Sequence, residues 1–414
     1  MSTTSGSSTE TKSFARRAAH LNPAGVRPAK EGAISFDSGH ADPHVLPDLT
    51  EEAKAALSVH RSETLQYAPR PGLPGLRTWI AAYMNDDGVS GISAENILVV
   101  NGAKHGLELV CRLLLDEGDS IVVTSPTYFT AIPIFKSFGV SFIQIPQGAD
   151  GLDADELARV LESNQREGRR LPKFIYDVPD FHNPTGVTMS RERREALIAL
   201  ARKHGIFIVE DSPYRKVRFE GSSQPSLKSL DNSGLVLTLG TFSKLLAPGL
   251  RIGWIAGPQD ILNRIVQLKS DGGSCPLTQR LIVNFGNAGR FNAHIQKVQD
   301  VYRTHRDRML DAFRRDIPEF STAVPHGGYY LWLTLPKNVD GDALAELAER
   351  EGVTVLAGSK FFADHSTIPA RSGSPKSYIR VAYSHATPEQ IDEGVKRLDR
   401  AFRSMQSHAV KANS

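Results

Sequence analysis

An α/β fold, with a mostly parallel sheet covered by helices and a second, smaller domain, is what this 414-residue chain predicts. Two observations carry the expectation. Between residues 96 and 255, short apolar β-type runs alternate with helical patterns, as a parallel sheet with crossover helices requires. From about Val301 the texture changes to longer helices around a few strands, in a chain long enough to split into more than one domain.

Taken in order, residues 96–100 (Asn-Ile-Leu-Val-Val) read as a strand, followed by a helix from Ala103 whose Leu107, Val110, Leu113 and Leu114 share one face. Further strands are predicted at 120–123, 141–145, 173–176, 206–209, 235–239 and 251–255, and Ser190 can cap a helix that Gly205 ends. Residues 327–333 and 378–382 read as strands of the smaller sheet, closed by a helix from about Pro388 to Met405. The Ser/Thr/Gly-rich start, residues 1–13, and the end, 407–414, read as disordered tails, and there is no internal repeat.

Composition narrows the function classes. Lys and Arg number 49 against 46 Asp and Glu, and the basic residues are scattered, which gives no electrostatic footprint for nucleic acid. The two cysteines, Cys111 and Cys275, form no Cys-x-x-Cys pattern, so neither a disulfide scaffold nor a metal site is expected, and a reducing cytoplasm fits. No apolar run is long enough to span a bilayer.

The chemistry is concentrated in residues 240–254, where Lys244 stands among Thr241, Ser243 and Arg251 just after an apolar run. A lysine amine can form a Schiff base, while hydroxyls and a guanidinium can hold a phosphate dianion. Pyridoxal phosphate needs both. Upstream, Asn183, Asp211 and Tyr214 each follow an apolar β-type run, which places them at the C-terminal ends of strands, where open α/β sheets bind ligands. A carboxylate such as Asp211 beside the pyridine nitrogen keeps that nitrogen protonated, and Asn183 and Tyr214 can donate to the ring oxygen. Read singly, Asn183-Pro-Thr-Gly186 is turn chemistry, Asp211 a helix cap, Tyr128 a core aromatic, and Arg251 and Arg380 ion-pair arginines. The set together specifies a site.

On these motifs the chain resembles the class I/II aminotransferase family of fold-type I pyridoxal-phosphate enzymes, nearest its 2-aminoadipate/kynurenine aminotransferase-like branch. The likeness runs from about Ile34 to about Phe402 and rests on Asn-Pro-Thr-Gly at 183–186, Asp-x-x-Tyr at 211–214 and Ser243-Lys244. The resemblance implies a three-layer large domain (49–300), a small α+β domain (301–406) and an N-terminal segment (14–48) that joins the small domain. It implies Lys244 as the Schiff-base lysine, Asp211 as the ring-nitrogen partner, and Asn183 and Tyr214 as partners of the ring oxygen. Thr241, Ser243, Arg251 and the backbone of Ala103 and Lys104, in Asn101-Gly-Ala-Lys-His-Gly106, are the implied phosphate contacts. The implied ring-stacking aromatic is Tyr128. Arg380 matches the arginine that grips the substrate carboxylate, with Asn183 beside it, Gly39 a glycine whose backbone passes close to that carboxylate, and His40 a neighbour of the substrate side chain. Tyr67 matches a tyrosine that reaches the phosphate of the neighbouring subunit, hence an expected homodimer with shared active sites. His40, Lys104, His182 and Ser212 depart from the family's usual residues and leave the substrate open.

The reaction expected is ping-pong transfer of an amino group from an α-amino acid to a 2-oxo acid. The same fold supports decarboxylases, lyases and oxidative deaminases, and retention of Arg380 favours cleavage of the α-C–H bond over loss of the carboxylate. An effector-binding domain of a transcription regulator is a further alternative, disfavoured because only about 33 residues precede Ile34 and the basic surplus is small.

Overall fold

The computed structural model describes residues 32–412 together with Ala15 and Ala18; the expected tail 1–13 lies outside the described residues. Strand β1 (Ile34–Ser35) comes first. The large sheet then takes β2 (Ile97–Val100), β3 (Ser120–Ser125), β4 (Ser141–Gly148), β5 (Gly151–Leu152), β6 (Phe174–Asp177), β7 (Phe207–Asp211), β8 (Val236–Thr241) and β9 (Gly253–Ala256). After it come β10 (Tyr330–Thr334), β11 (Val353–Thr354), β12 (Leu356–Ala357) and β13 (Tyr378–Ala382).

The eight-stranded sheet has the order β2-β9-β8-β7-β6-β3-β4-β5. Its inner strands β4, β3, β6, β7 and β8 run parallel, whereas β9 runs antiparallel to both β8 and β2. Both faces are covered, so the central strands are apolar without alternation, as parallel sheets demand. Along β6, Phe174 and Tyr176 enter one core while Ile175 enters the other; β8 divides Leu237 and Leu239 from Val236 in the same way. The helix Arg191–His204 is capped by Ser190, which accepts from the Arg193 N–H, and is ended by Gly205 at φ 65°.

In the small sheet, β13 pairs antiparallel with β10 and β12. β1 pairs in parallel with β11, and Phe36 accepts the Ala382 N–H, so the N-terminal segment is stitched to the C-terminal part of the chain. One expected limit shifts, the end of the closing helix. The expected boundary at 300/301 lies within the continuous helix Arg290–Asp316, whose buried side runs through Phe291, Ile295, Val298, Tyr302, His305 and Met309. The closing helix runs Pro388–Ala412 in place of stopping at 406, because residues 407–412 contain no Gly or Pro to end it. Among the described residues no helix is long and apolar enough to cross a membrane, and no His/Cys/Asp/Glu cluster is placed to hold a metal.

Candidate active site

Strand direction assembles the site. Because β6, β7 and β8 are parallel, their C-terminal ends share one edge, where Asp211 ends β7, Thr241 ends β8, and Asn183 and Tyr214 follow closely. The reversed strand β9 starts at that same edge, with Gly253 paired to Thr241 on one side and Val100 on the other. That register delivers Arg251 and the start of the helix Ala103–Leu114 to the same place. The result is a cavity of about 220 Å³, walled at one end by Lys244, Asp211, Asn183, Tyr214 and Tyr128 and at the other by Ala103, Lys104, Thr241, Ser243 and Arg251.

The second end is built for an anion. Gly102 gives the helix no side-chain cap, so its first-turn N–H groups and the positive end of its dipole are offered to the cavity. The Ser243 N–H donates to Thr241 Oγ1 at 3.1 Å, Thr241 Oγ1 donates to Ser243 Oγ at 3.0 Å, and Arg251 Nη1 donates to Ser243 Oγ at 3.4 Å. Arg251 holds φ 52°, a conformation that non-glycine residues adopt at a cost, and its guanidinium also donates to the carbonyls of Pro248 and Asn101. Gly102 lies at φ +85°, and a Cβ there would come 2.7 Å from Arg251 Nη2.

The first end holds buried polar atoms without partners. Asp211 Oδ2 accepts from the Tyr176 hydroxyl at 2.7 Å, but Oδ1 has no partner, and burial, opposed by Tyr176, pushes the carboxyl up to about 6. Asn183 Oδ1 accepts from Arg380 Nη1 at 3.0 Å, which aligns the amide and leaves Nδ2 free to donate. Lys244 Nζ donates to the Gly39 carbonyl at 2.6 Å, and its pKa is lowered: burial, then the charges of Arg380 and Arg251, outweigh the opposing pull of Tyr330. A lysine so placed keeps more of its amine neutral and nucleophilic. Tyr128 is half-buried, and desolvation raises its phenol above the ordinary value.

Arg380 is 1 % exposed, on β13. Besides Asn183 it donates to the Asp37 carbonyl, its guanidinium lies 4.0 Å from the Tyr330 ring centroid, and its Nε has no partner. Gly39 is required where it stands, since a Cβ there would lie 2.1 Å from the Tyr330 hydroxyl. His40 is exposed at the rim, edge-on to His385 at 5.8 Å, and burial, His385 and Lys244 lower its pKa. His182 is a fully buried structural residue, held between Thr124 and Thr185 and pushed down to about 3 by burial, hence neutral. The Asn183 loop is further fixed by buried Arg194, which donates to the carbonyls of Pro179 and Met189 and pairs with Asp180 at 3.0 Å. Tyr67 is not in this chain's cavity; its ring is 83 % exposed and packs near Gly272.

Two residues of the site escaped the sequence reading. Tyr176 was visible only as a strand residue, although a tyrosine beside a strand-end aspartate is a signal of sorts. Tyr330 joins the site through its hydrogen bond to Tyr214, and nothing local in the sequence marks it.

Comparison with known proteins meets this geometry. The sequence profile described as "Aminotransferase class I and II" matches residues 30–398. The chain belongs to the class I and II aminotransferases. This aminotransferase is 34% identical over 370 residues to aromatic-amino-acid aminotransferase 1 of Thermococcus litoralis, covering 88% of this chain and 87% of the relative. It is 32% identical to the 2-aminoadipate transaminase of Thermus thermophilus, with 91% of each chain covered. Among solved structures, the kynurenine aminotransferase of Pyrococcus horikoshii, solved in complex with PMP, superposes with a TM-score of 0.86 at 30% identity, covering 95% of this chain and 97% of that one. The three-layer large domain expected of fold type I is therefore present, and the protein is an enzyme that transfers amino groups.

Proposed function

We propose that the protein uses pyridoxal 5'-phosphate to move an amino group from an α-amino acid to a 2-oxo acid in two half-reactions. The observation that carries this reading is Asp211 Oδ1, a buried carboxylate oxygen without a partner in the wall of a cavity that also holds Lys244 and ends in an anion cradle. The donor set fits the cofactor at each of its polar groups. Asp211 would hold a protonated ring nitrogen, Asn183 Nδ2 and the Tyr214 hydroxyl would serve the ring oxygen, and Tyr128 would stack on the ring. Thr241, Ser243, Arg251 and the N–H groups of Ala103 and Lys104 would hold the phosphate.

When bound, pyridoxal phosphate supplies an aldehyde for amine exchange and a ring that accepts electron density from the substrate α-carbon. This chain's residues do the rest. Arg380, held by Asn183 and Asp37 with Nε still free, takes the substrate carboxylate. Gly39 lets the backbone close over that carboxylate, and His40 stands at the rim on the substrate side. Lys244, its amine depressed by burial and by Arg380, takes and returns the α-proton at Nζ. Asp211 keeps its charge by facing the ring nitrogen's proton.

We further infer a homodimer with shared sites. Val59, Leu65 and Tyr67 are 77 %, 64 % and 83 % exposed, an apolar surface that a second copy would cover. Tyr67 borders Gly272, next to Asp271, which accepts from Asn101 at the head of the anion-binding helix. That position suits a side chain reaching toward a partner's phosphate site. Both described cysteines are free thiols, which fits the cytoplasm, and no role for nucleic acid or membrane is proposed.

The test is a half-reaction with holoenzyme and one amino acid at a time, no 2-oxo acid being present. One equivalent of 2-oxo acid per subunit, with a matching change in cofactor absorption and then arrest, is expected. Continued release of carbon dioxide, ammonia with oxygen uptake, or an eliminated side chain would make the protein a decarboxylase, an oxidative deaminase or a lyase.

A further inference from the structure

Tyr330 is 5 % exposed, and its hydroxyl meets the Tyr214 hydroxyl at 3.2 Å beneath Gly39. The ring face carries the Arg380 guanidinium at 4.0 Å. Each phenol has one proton to donate and lone pairs to accept with. In the structure Tyr214 directs its proton to Tyr330, so its hydroxyl cannot donate into the cavity at the same time. If Tyr214 is to serve the cofactor's ring oxygen, as the reading in the preceding subsection requires, the bond between the two phenols must reverse.

We propose that Tyr330 is a positioning residue that donates to Tyr214 Oη, aims the Tyr214 proton at the ring oxygen of bound pyridoxal phosphate, and strengthens it as a donor. Hydroxyl protons rotate freely between such partners, and a donor that itself accepts a hydrogen bond is polarised further. The surroundings set the direction. Burial raises Tyr214 well above the ordinary phenol value, whereas at Tyr330 burial is opposed by the charge of Arg380 against its ring and then by that of Lys244, neither of which depends on the direction of the bond. The more acidic phenol is the better donor and the less acidic one the better acceptor. The other titratable groups that bear on the pair, Tyr128 beside Tyr214, Tyr329 beside both rings and Tyr383 near Tyr330, are neutral phenols held above their ordinary values by burial. Asp211 reaches the pair only through Tyr128.

The proposal rests on the cofactor reading, and its test separates the two. The visible absorption of the holoenzyme is titrated with pH in wild type, Tyr330→Phe, Tyr214→Phe and the double variant. Phenylalanine at 330 keeps the ring under Arg380, and circular dichroism checks the fold. A donor to the ring oxygen withdraws charge that would otherwise hold a proton on the neighbouring Lys244 nitrogen, so weakening the donor raises the midpoint. The expected shift is upward by about half a pH unit in Tyr330→Phe, a fraction of one hydrogen bond. Tyr214→Phe should shift further, and the double variant no further than Tyr214→Phe alone. A wild-type midpoint in Tyr330→Phe, or shifts that add in the double variant, overturns the relay while leaving the cofactor reading intact. A protein that takes up no pyridoxal phosphate overturns both.

Discussion

Asp211 carries a stability cost that its proposed role explains. Its carboxyl is raised from 3.8 to about 6, so the folded chain keeps a proton that the unfolded chain releases between those values. Asp211's own contribution is therefore most favourable below about pH 4, is lost as pH rises through 6, and above that costs the cofactor-free protein roughly 3 kcal/mol. Asp211→Asn removes the charge and keeps a partner for the Tyr176 hydroxyl. In denaturant titrations of the cofactor-free protein it should be the more stable form by up to about 3 kcal/mol at pH 8 and by little at pH 4. Equal stability at both pH values would mean that Asp211 is not an uncompensated buried charge. Arg380 is the second residue whose worth lies in geometry: one guanidinium edge serves Asn183 and Nε is left free. Arg380→Lys keeps the charge and loses the fork, so kcat/KM for amino acids should fall about 100-fold, the scale of losing a partner in a buried charged pair. Steady-state kinetics on any accepted donor measure it.

At the scale of elements, the anion cradle depends on two backbone turns meeting. The turn before the Ala103–Leu114 helix and the turn after β8 touch where Gly102 faces Arg251. Gly102→Ala would force a Cβ at positive φ and drive the Arg251 guanidinium outward, because the end of that side chain yields more easily than the packed backbone. We expect about tenfold weaker pyridoxal-phosphate affinity by fluorescence titration, on the scale of one residue's left-handed strain. Lys244, Asp211, Asn183, Tyr214 and Arg251 were legible beforehand because residue type, spacing and the apolar run before each one all point to strand ends. Two-residue strands such as β1, β5, β11 and β12 show no periodicity to read. The reversal of β9 was hidden too, since a buried strand reads the same in either direction. Tyr330 was hidden for a third reason: its facing depends on the register of β10 against β13, in which Trp332 lies opposite Arg380. Register is a tertiary fact.

For the whole molecule, the small sheet, the N-terminal segment and the large sheet each bring one part of the substrate's proposed surroundings: Arg380 from β13, Gly39 after β1, and Lys244 after β8. In the proposed homodimer a second copy would cover the exposed Val59, Leu65 and Tyr67 and complete the enclosure. Leu65→Glu would place a charge in that contact, so the variant should elute as a monomer in size exclusion and lose cofactor affinity together with activity. A monomer with full activity would remove the partner's Tyr67 from the account. The most direct measurement of the central claim uses isotope transfer: holoenzyme is incubated with a ¹⁵N-labelled α-amino acid and an unlabelled 2-oxo acid, with Lys244→Ala as the control. The account predicts ¹⁵N in the amino acid made from the added oxo acid, none in ammonia, and no repeated turnover in the control. Label in ammonia, or transfer that persists at the wild-type rate without Lys244, would contradict it.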